Sequence, residues 1–145
     1  MNPKPRIWSV VELLARLVLG LLLLAAAIPK IRDPAAFLGA LGAYRLLPEL
    51  SVAVFAWFLP WLELCVAGAL LCAPLRHRQG AWLLNGLLYV SFLAAHASAW
   101  ARGLDIRCGC FGGDSPVGFA SVLTRAGLAA LTVLGAVAAH HQHRR

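Results

Sequence analysis

The sequence predicts an all-α polytopic membrane protein: a bundle of four transmembrane helices with a short interfacial helix in the first extracytoplasmic loop. Composition is the first ground. Of the 145 residues 61% are hydrophobic and 13% charged, and the mean hydropathy is +0.76. A soluble domain this small has a high surface-to-volume ratio and needs far more polar surface. Patterning is the second ground. The apolar residues gather in four stretches, approximately Ile7–Ile28, Ser51–Cys72, Gln79–Trp100 and Val117–Ala139. Each is about 20 residues long, enough for a helix to cross a hydrocarbon core of roughly 30 Å. No room remains for a soluble module, so residues 1–145 read as one transmembrane domain.

The first stretch follows Lys4 and Arg6 and ends near Ala25-Ala26-Ala27, as a secretory signal does. It is longer than a signal h-region and carries Glu12 and Arg16, so it reads as a retained helix. The first connection, Pro29–Leu50, is long for a bundle loop. Phe37, Leu38, Leu41, Tyr44 and Leu47 recur there near helical spacing, which predicts the interfacial helix. Asp33-Pro34 supplies its start, with Asp as N-cap and Pro at the first helical position. Pro48 supplies its stop. The second connection, Ala73–Arg78, is short and makes the second and third spans antiparallel neighbours.

The formal charge of +7 does not mark a nucleic-acid binder, because the basic residues cluster at the ends of the spans, where membrane anchors lie. Lys4, Arg6, Arg76, Arg78, Arg144 and Arg145 fall on one side, against Lys30, Arg32, Arg45, Arg102 and Arg107 on the other. Six against five is a slight bias toward both termini in the cytoplasm; the cysteine chemistry below favours the same orientation, and the cell inner membrane is the expected location. The His-rich tail from His140 reads as a solvated anchor.

Glu12, Arg16, Glu63 and Arg125 fall inside spans, where an unpaired charge costs about 2.5–3.5 kcal/mol or more. They are expected to face one another as one interior network of two cations and two anions. A structural ion-pair network is the plainer reading of them; a proton relay or a site for a quinone carbonyl is the sharper one. Pro60 removes a backbone donor near Glu63, and a kink there shapes a candidate quinone pocket from Trp57, Phe58 and Trp61. His96, on the third span, is the best-placed base for chemistry in the third connection.

The cysteines divide two and two. Cys65 and Cys72 are seven residues apart on one helix, roughly 10 Å along its axis, too far for a disulfide. They read as small hydrophobes. Cys108-Gly109-Cys110 stands in the polar third connection. A bond between them closes only a small strained ring, with Gly109 supplying backbone freedom, and such disulfides are labile. The ring closes almost no loop, so it is a poor staple. Arg102 and Arg107 favour the thiolate, the reactive form. Redox exchange is therefore favoured over a staple. A soft-metal site on Cys108 and Cys110 is the further alternative, although two thiolates fill half a tetrahedral shell.

Several of these residues resemble the MauE family, the methylamine-utilisation membrane proteins within the DoxX-like group. The matching features are Arg16 with Gly20, Pro29-Lys30 with Asp33 and Phe37, and Tyr44-Arg45-Leu46-Leu47-Pro48. Leu59-Pro60 with Glu63 and Gly68, Cys108-Gly109-Cys110-Phe111-Gly112 and Arg125 follow in order. Tyr-x-Leu-Leu-Pro and Cys-x-Cys-Phe-Gly are the specific elements. The family often carries Asn after the last arginine, where this chain has Ala126. The resemblance implies a four-helix membrane protein that assists maturation of periplasmic enzymes together with a thioredoxin-like partner. For named members it implies a disulfide-containing client, a methylamine dehydrogenase subunit. The expected class is a disulfide oxidoreductase-like accessory factor. A carrier of a soft metal or small sulfur species on the same thiolates is the alternative.

Overall fold

Long apolar runs fold into long helices, and among the described residues the computed structural model has four of them, one with Pro60 inside it. It describes residues 4–46, 48–72, 74, 77–104, 106 and 118–143. In chain order the helices are α1 (Lys4–Arg32), α2 (Pro34–Ala43), α3 (Glu49–Cys72), α4 (Arg78–Ala101) and α5 (Phe119–His143). All but α2 are long and apolar enough to cross a membrane. Their outer faces carry bare apolar side chains such as Leu50, Val54 and Leu83, a surface suited to lipid.

The bundle is antiparallel. α3 packs chiefly on α1, α4 chiefly on α5, and α1 also lies against α5. The short connection between α3 and α4 makes them neighbours, yet their mutual contact is slighter than either of these pairings. One end of the bundle gathers the start of α1, the end of α3, the start of α4 and the end of α5. Gln79 Nε2 lies 3.2 Å from His140 Nδ1 there, and Trp8 stacks on His141. The other end carries α2.

Two elements differ from their expected bounds. α1 does not stop at Pro29 but runs through it to Arg32. Pro29 lacks the N–H that would bond Ala25 O and its ring crowds that carbonyl, but helical bonding resumes beyond it, where Asp33 N donates to Pro29 O at 3.0 Å. α2 starts as expected: Asp33 caps it, with Oδ1 accepting from Ala36 N at 2.9 Å, and Pro34 opens the helix. It ends at Ala43, well before Pro48. The chain leaves it through Arg45, whose φ of +49° is left-handed, a conformation that commonly terminates helices.

The core lies between α1, α3, α4 and α5 and is built from Leu19, Leu23, Val66, Leu70, Trp82 and Tyr89. Small residues let backbones approach, as in other membrane bundles. A Cβ at Gly135 would stand 2.1 Å from the Trp82 ring, so α5 meets that indole with its bare backbone. Gly135→Ala should therefore cost about 1–3 kcal/mol, the usual range for overpacking. Thermal unfolding in detergent reads this; an unchanged midpoint would contradict the close contact. One turn away, Asn85 Nδ2 donates to Thr132 Oγ1 at 2.9 Å, and the Thr132 hydroxyl donates to Leu128 O.

Candidate functional site

Buried charge is where a membrane bundle departs from simple packing, and among the described residues it forms two clusters. At the end opposite α2, Arg16 Nη1 lies 3.7 Å from Glu12 Oε1, and Arg78 Nη1 donates to Glu12 Oε2 at 3.1 Å. Arg16 also donates through Nε to Leu70 O at 2.5 Å and through Nη2 to Leu71 O at 2.9 Å. Those carbonyls belong to the last turn of α3, where no intrahelical donor remains and the helix dipole favours a cation. Arg16 is therefore a C-cap for α3 delivered from α1.

Nearer α2, Lys30 Nζ donates to Glu63 Oε1 in a buried ion pair. Side chains lean toward the N-terminus of their own helix. Lys30 accordingly reaches inward from the end of α1, and Glu63 leans outward along α3 to meet it. Arg125 and Tyr89 line the same small cavity, of about 10 Å³, as this pair.

The single network expected from Glu12, Arg16, Glu63 and Arg125 is thus two. All four residues are buried. Arg16, however, is bound at Leu70, seven residues beyond Glu63 and roughly 10 Å further along α3. Glu63 pairs with Lys30, which the expected bounds put in the first connection, Pro29–Leu50.

Above the Lys30–Glu63 pair, α2 roofs a cavity of about 80 Å³. Lys30, Phe37, Tyr44, Leu59, Phe92 and His96 contribute to its walls. The Lys30 ammonium lies 5.2 Å from the Phe37 ring centroid and 5.5 Å from that of Phe92, a cation held between two aromatic faces. His96 Nδ1 lies 2.8 Å from Phe92 O, so it must donate, and that leaves Nε2 to accept from the Tyr44 hydroxyl at 3.3 Å in the neutral ring. His96 is 2% exposed. It is enclosed in the wall of this cavity.

Arg102, read from the sequence as a neighbour of the cysteine pair, is engaged at the exit of α2. Its guanidinium donates to Tyr44 O at 2.5 Å and Arg45 O at 3.4 Å, and its Nε to Ser98 O. It ties the left-handed exit of α2 to the end of α4, with three of its five N–H groups given to carbonyls. Leu104 and Ile106 then pack against Tyr44 and Ala99 beside that clamp. Cys108, Cys110 and Arg107 lie outside the described residues.

Trp57, Phe58 and Trp61 do not shape a pocket around Glu63. They are 71%, 59% and 52% exposed on the outer face of α3, the side turned away from α1. That face suits lipid and an aromatic belt. Cys65 and Cys72 are free and exposed on α3 as well. Among the described residues no three His, Cys, Asp or Glu side chains converge on a metal site.

Sequence reasoning missed Lys30, Tyr44 and Arg78 as members of these clusters. Helical spacing held a signal for the first. Lys30 follows Arg16 by fourteen residues, close to four turns, so the two share a face once α1 is continued through Pro29.

The family model described as "Methylamine utilisation protein MauE" matches residues 8–138. Among curated proteins, the methylamine utilization protein MauE of Methylophilus methylotrophus is 45% identical over 101 residues, 69% of this chain and 52% of that protein. MauE of Paracoccus denitrificans is 38% identical over 121 residues, 81% of this chain and 64% of its own length. MauE of Methylorubrum extorquens is 42% identical over 103 residues, 70% of this chain and 54% of its own. The chain thus matches between about half and two thirds of the length of these relatives. No solved structure matches it.

Proposed function

Because the chain belongs to the MauE family, we propose that it is a membrane-embedded accessory factor for maturation of periplasmic proteins, acting by thiol–disulfide exchange at Cys108 and Cys110. The observation that carries the reading is the pair itself, two cysteines separated only by Gly109. It follows in sequence the anchored Leu104 and Ile106 at the α2 end of the bundle. Exchange between such a pair and a partner passes through a mixed disulfide, in which one thiolate attacks and the second resolves. Two electrons and two protons change hands in each cycle.

The partner on this reading is a periplasmic thioredoxin-like protein, and the client is a disulfide-containing protein of methylamine utilisation. The α2 end then faces the periplasm, an oxidising compartment, and both termini face the cytoplasm across the inner membrane. Arg107 remains a thiolate-stabilising neighbour in sequence. Arg102 and His96 act at the α2 end of the bundle: the first clamps α2, and the second holds Tyr44.

The reading is tested in cells carrying Cys108→Ser/Cys110→Ser. A membrane-impermeant thiol reagent should label reduced wild-type protein in intact spheroplasts and leave the double variant unlabelled. The lipid-facing Cys65 and Cys72 are out of such a reagent's reach. The client's cysteines should accumulate as free thiols in the variant. Labelling that requires lysis, or a client fully oxidised in the variant, would contradict the proposal. Stoichiometric metal on the reduced protein would move the assignment to a carrier.

A further inference from the structure

Independently of the thiol chemistry, we propose that the groove between α4 and α5 holds one acyl chain of an anionic phospholipid, with the phosphate seated where α4 begins and α5 ends. The groove has a volume of about 340 Å³. Its mouth is polar: Gln79 and His140, both exposed, meet across it with Gln79 Nε2 3.2 Å from His140 Nδ1. An amide nitrogen only donates, so His140 Nδ1 accepts there. Beyond the mouth the lining is apolar in effect. Thr132 spends its hydroxyl on Asn85 and Leu128 O, and its methyl lies 3.7 Å from where a Cβ on Gly86 would stand. Leu83, Leu87 and Val133 are exposed along the rim.

Dimensions choose the occupant. From Gln79 to Val90 the groove follows α4 for eleven residues, a rise of roughly 16 Å, and from His140 to Thr132 it follows α5 for eight, roughly 12 Å. Half of a hydrocarbon core is about 15 Å. The groove therefore starts at head-group level and ends near the bilayer midplane, which is the reach of a chain from one leaflet. A volume of roughly 150 Å³ holds the six carbons of benzene, so this groove takes on the order of a dozen. A helix from a second copy fits less well, being about 10 Å across and in need of the full membrane depth.

Charge chooses the head group. Arg78 precedes Gln79 at the start of α4, and its side chain stays 23% exposed while it donates to Glu12. Glu12 serves Arg16 as well, one carboxylate facing two guanidinium groups. The sequence around the two helix ends, Ala73–Trp82 and Leu134–Arg145, contains four arginines and no acidic residue. Basic pockets between spans at a membrane face select anionic head groups. A zwitterionic lipid offers the same chain and phosphate but brings its own cation against the arginines.

The test uses the full chain purified in detergent with equimolar dioleoyl-phosphatidylglycerol and dioleoyl-phosphatidylcholine, and native mass spectrometry reads which lipid stays bound. Wild type should retain one phosphatidylglycerol, favoured about fivefold or more over phosphatidylcholine, the effect of one cation near an anionic head group. Gly86→Leu and Val133→Phe each put carbons into the groove and should weaken retention at least about tenfold. Val133 is 62% exposed, so the larger ring there leaves the core packing alone. Gln79→Glu/His140→Glu sets negative charge at the mouth and should abolish the preference between the two lipids. Thermal midpoints report whether each bundle is intact. Equal retention of both lipids by wild type, or wild-type retention by an intact groove-filled variant, would overturn the inference. So would a preference that survives in the intact double variant, or a wild-type dimer that Val133→Phe separates; the groove would then be an interface between copies of this chain.

Discussion

Glu63→Gln should cost about 3–5 kcal/mol of stability in detergent, the range for breaking a buried ion pair by removing one partner. The reason is the charge left behind. Lys30 donates to Glu63 with both groups buried, and the ammonium lies between the Phe37 and Phe92 rings. A second change, Lys30→Met, should recover much of the loss, because it removes the orphaned cation and leaves a side chain of similar length. Arg16→Met should recover nothing, since Arg16 serves Glu12 and the Leu70 and Leu71 carbonyls. Distant sites add, and coupled sites do not. Thermal unfolding of the two double variants separates the arrangements. Coupling of Glu63 to Arg16 as strong as its coupling to Lys30 would restore the single network and contradict two clusters.

The difference between one network and two shows what a sequence carries in a membrane bundle. The four spans were legible because lipid demands long apolar runs, and nothing else in the chain produces Ile7–Ile28 or Ser51–Cys72. Asp33-Pro34 was legible because capping is local chemistry. The charges were legible as buried, since Glu12, Arg16, Glu63 and Arg125 interrupt apolar runs. Their partners were not. Pairing depends on the register of α1 against α3, and that register turned on whether the helix survives Pro29. Proline lacks a donor and disfavours a helical residue before it, so an end at Ile28 was the natural expectation, and the bonding that resumes beyond it is a tertiary outcome. Arg102 shows the same limit. Its charge and its closeness in sequence to Cys108 suggested thiolate tuning, and no sequence feature suggested that its guanidinium also binds the Tyr44 and Arg45 carbonyls. The left-handed turn at Arg45 created those acceptors, and no sequence pattern announced that a residue with a Cβ would adopt it.

Replacing Cys108 and Cys110 together should abolish the protein's contribution to client maturation while leaving the bundle stable. The described core and both charge clusters lie within and between the helices and draw on neither residue. Singly, the two replacements should differ. Loss of the resolving thiol leaves the attacking one bonded to its partner, because a mixed disulfide is released by the second cysteine. Loss of the attacking thiol captures nothing. This asymmetry belongs to exchange alone; a staple loses the same bond in either variant, and a metal site loses a ligand in either.

Trapping is therefore the most direct measurement. Membranes from cells expressing Cys108→Ser or Cys110→Ser are quenched with acid, alkylated and separated without reductant, and the species attached to the chain is identified by mass spectrometry. A dithiothreitol-sensitive adduct to a periplasmic thioredoxin-like protein in one single variant, absent from the other and from the double variant, is the result expected. Two single variants that both run unattached, with a wild-type pair that stays oxidised in glutathione poised near −300 mV, a potential that leaves inert structural disulfides intact, would contradict it.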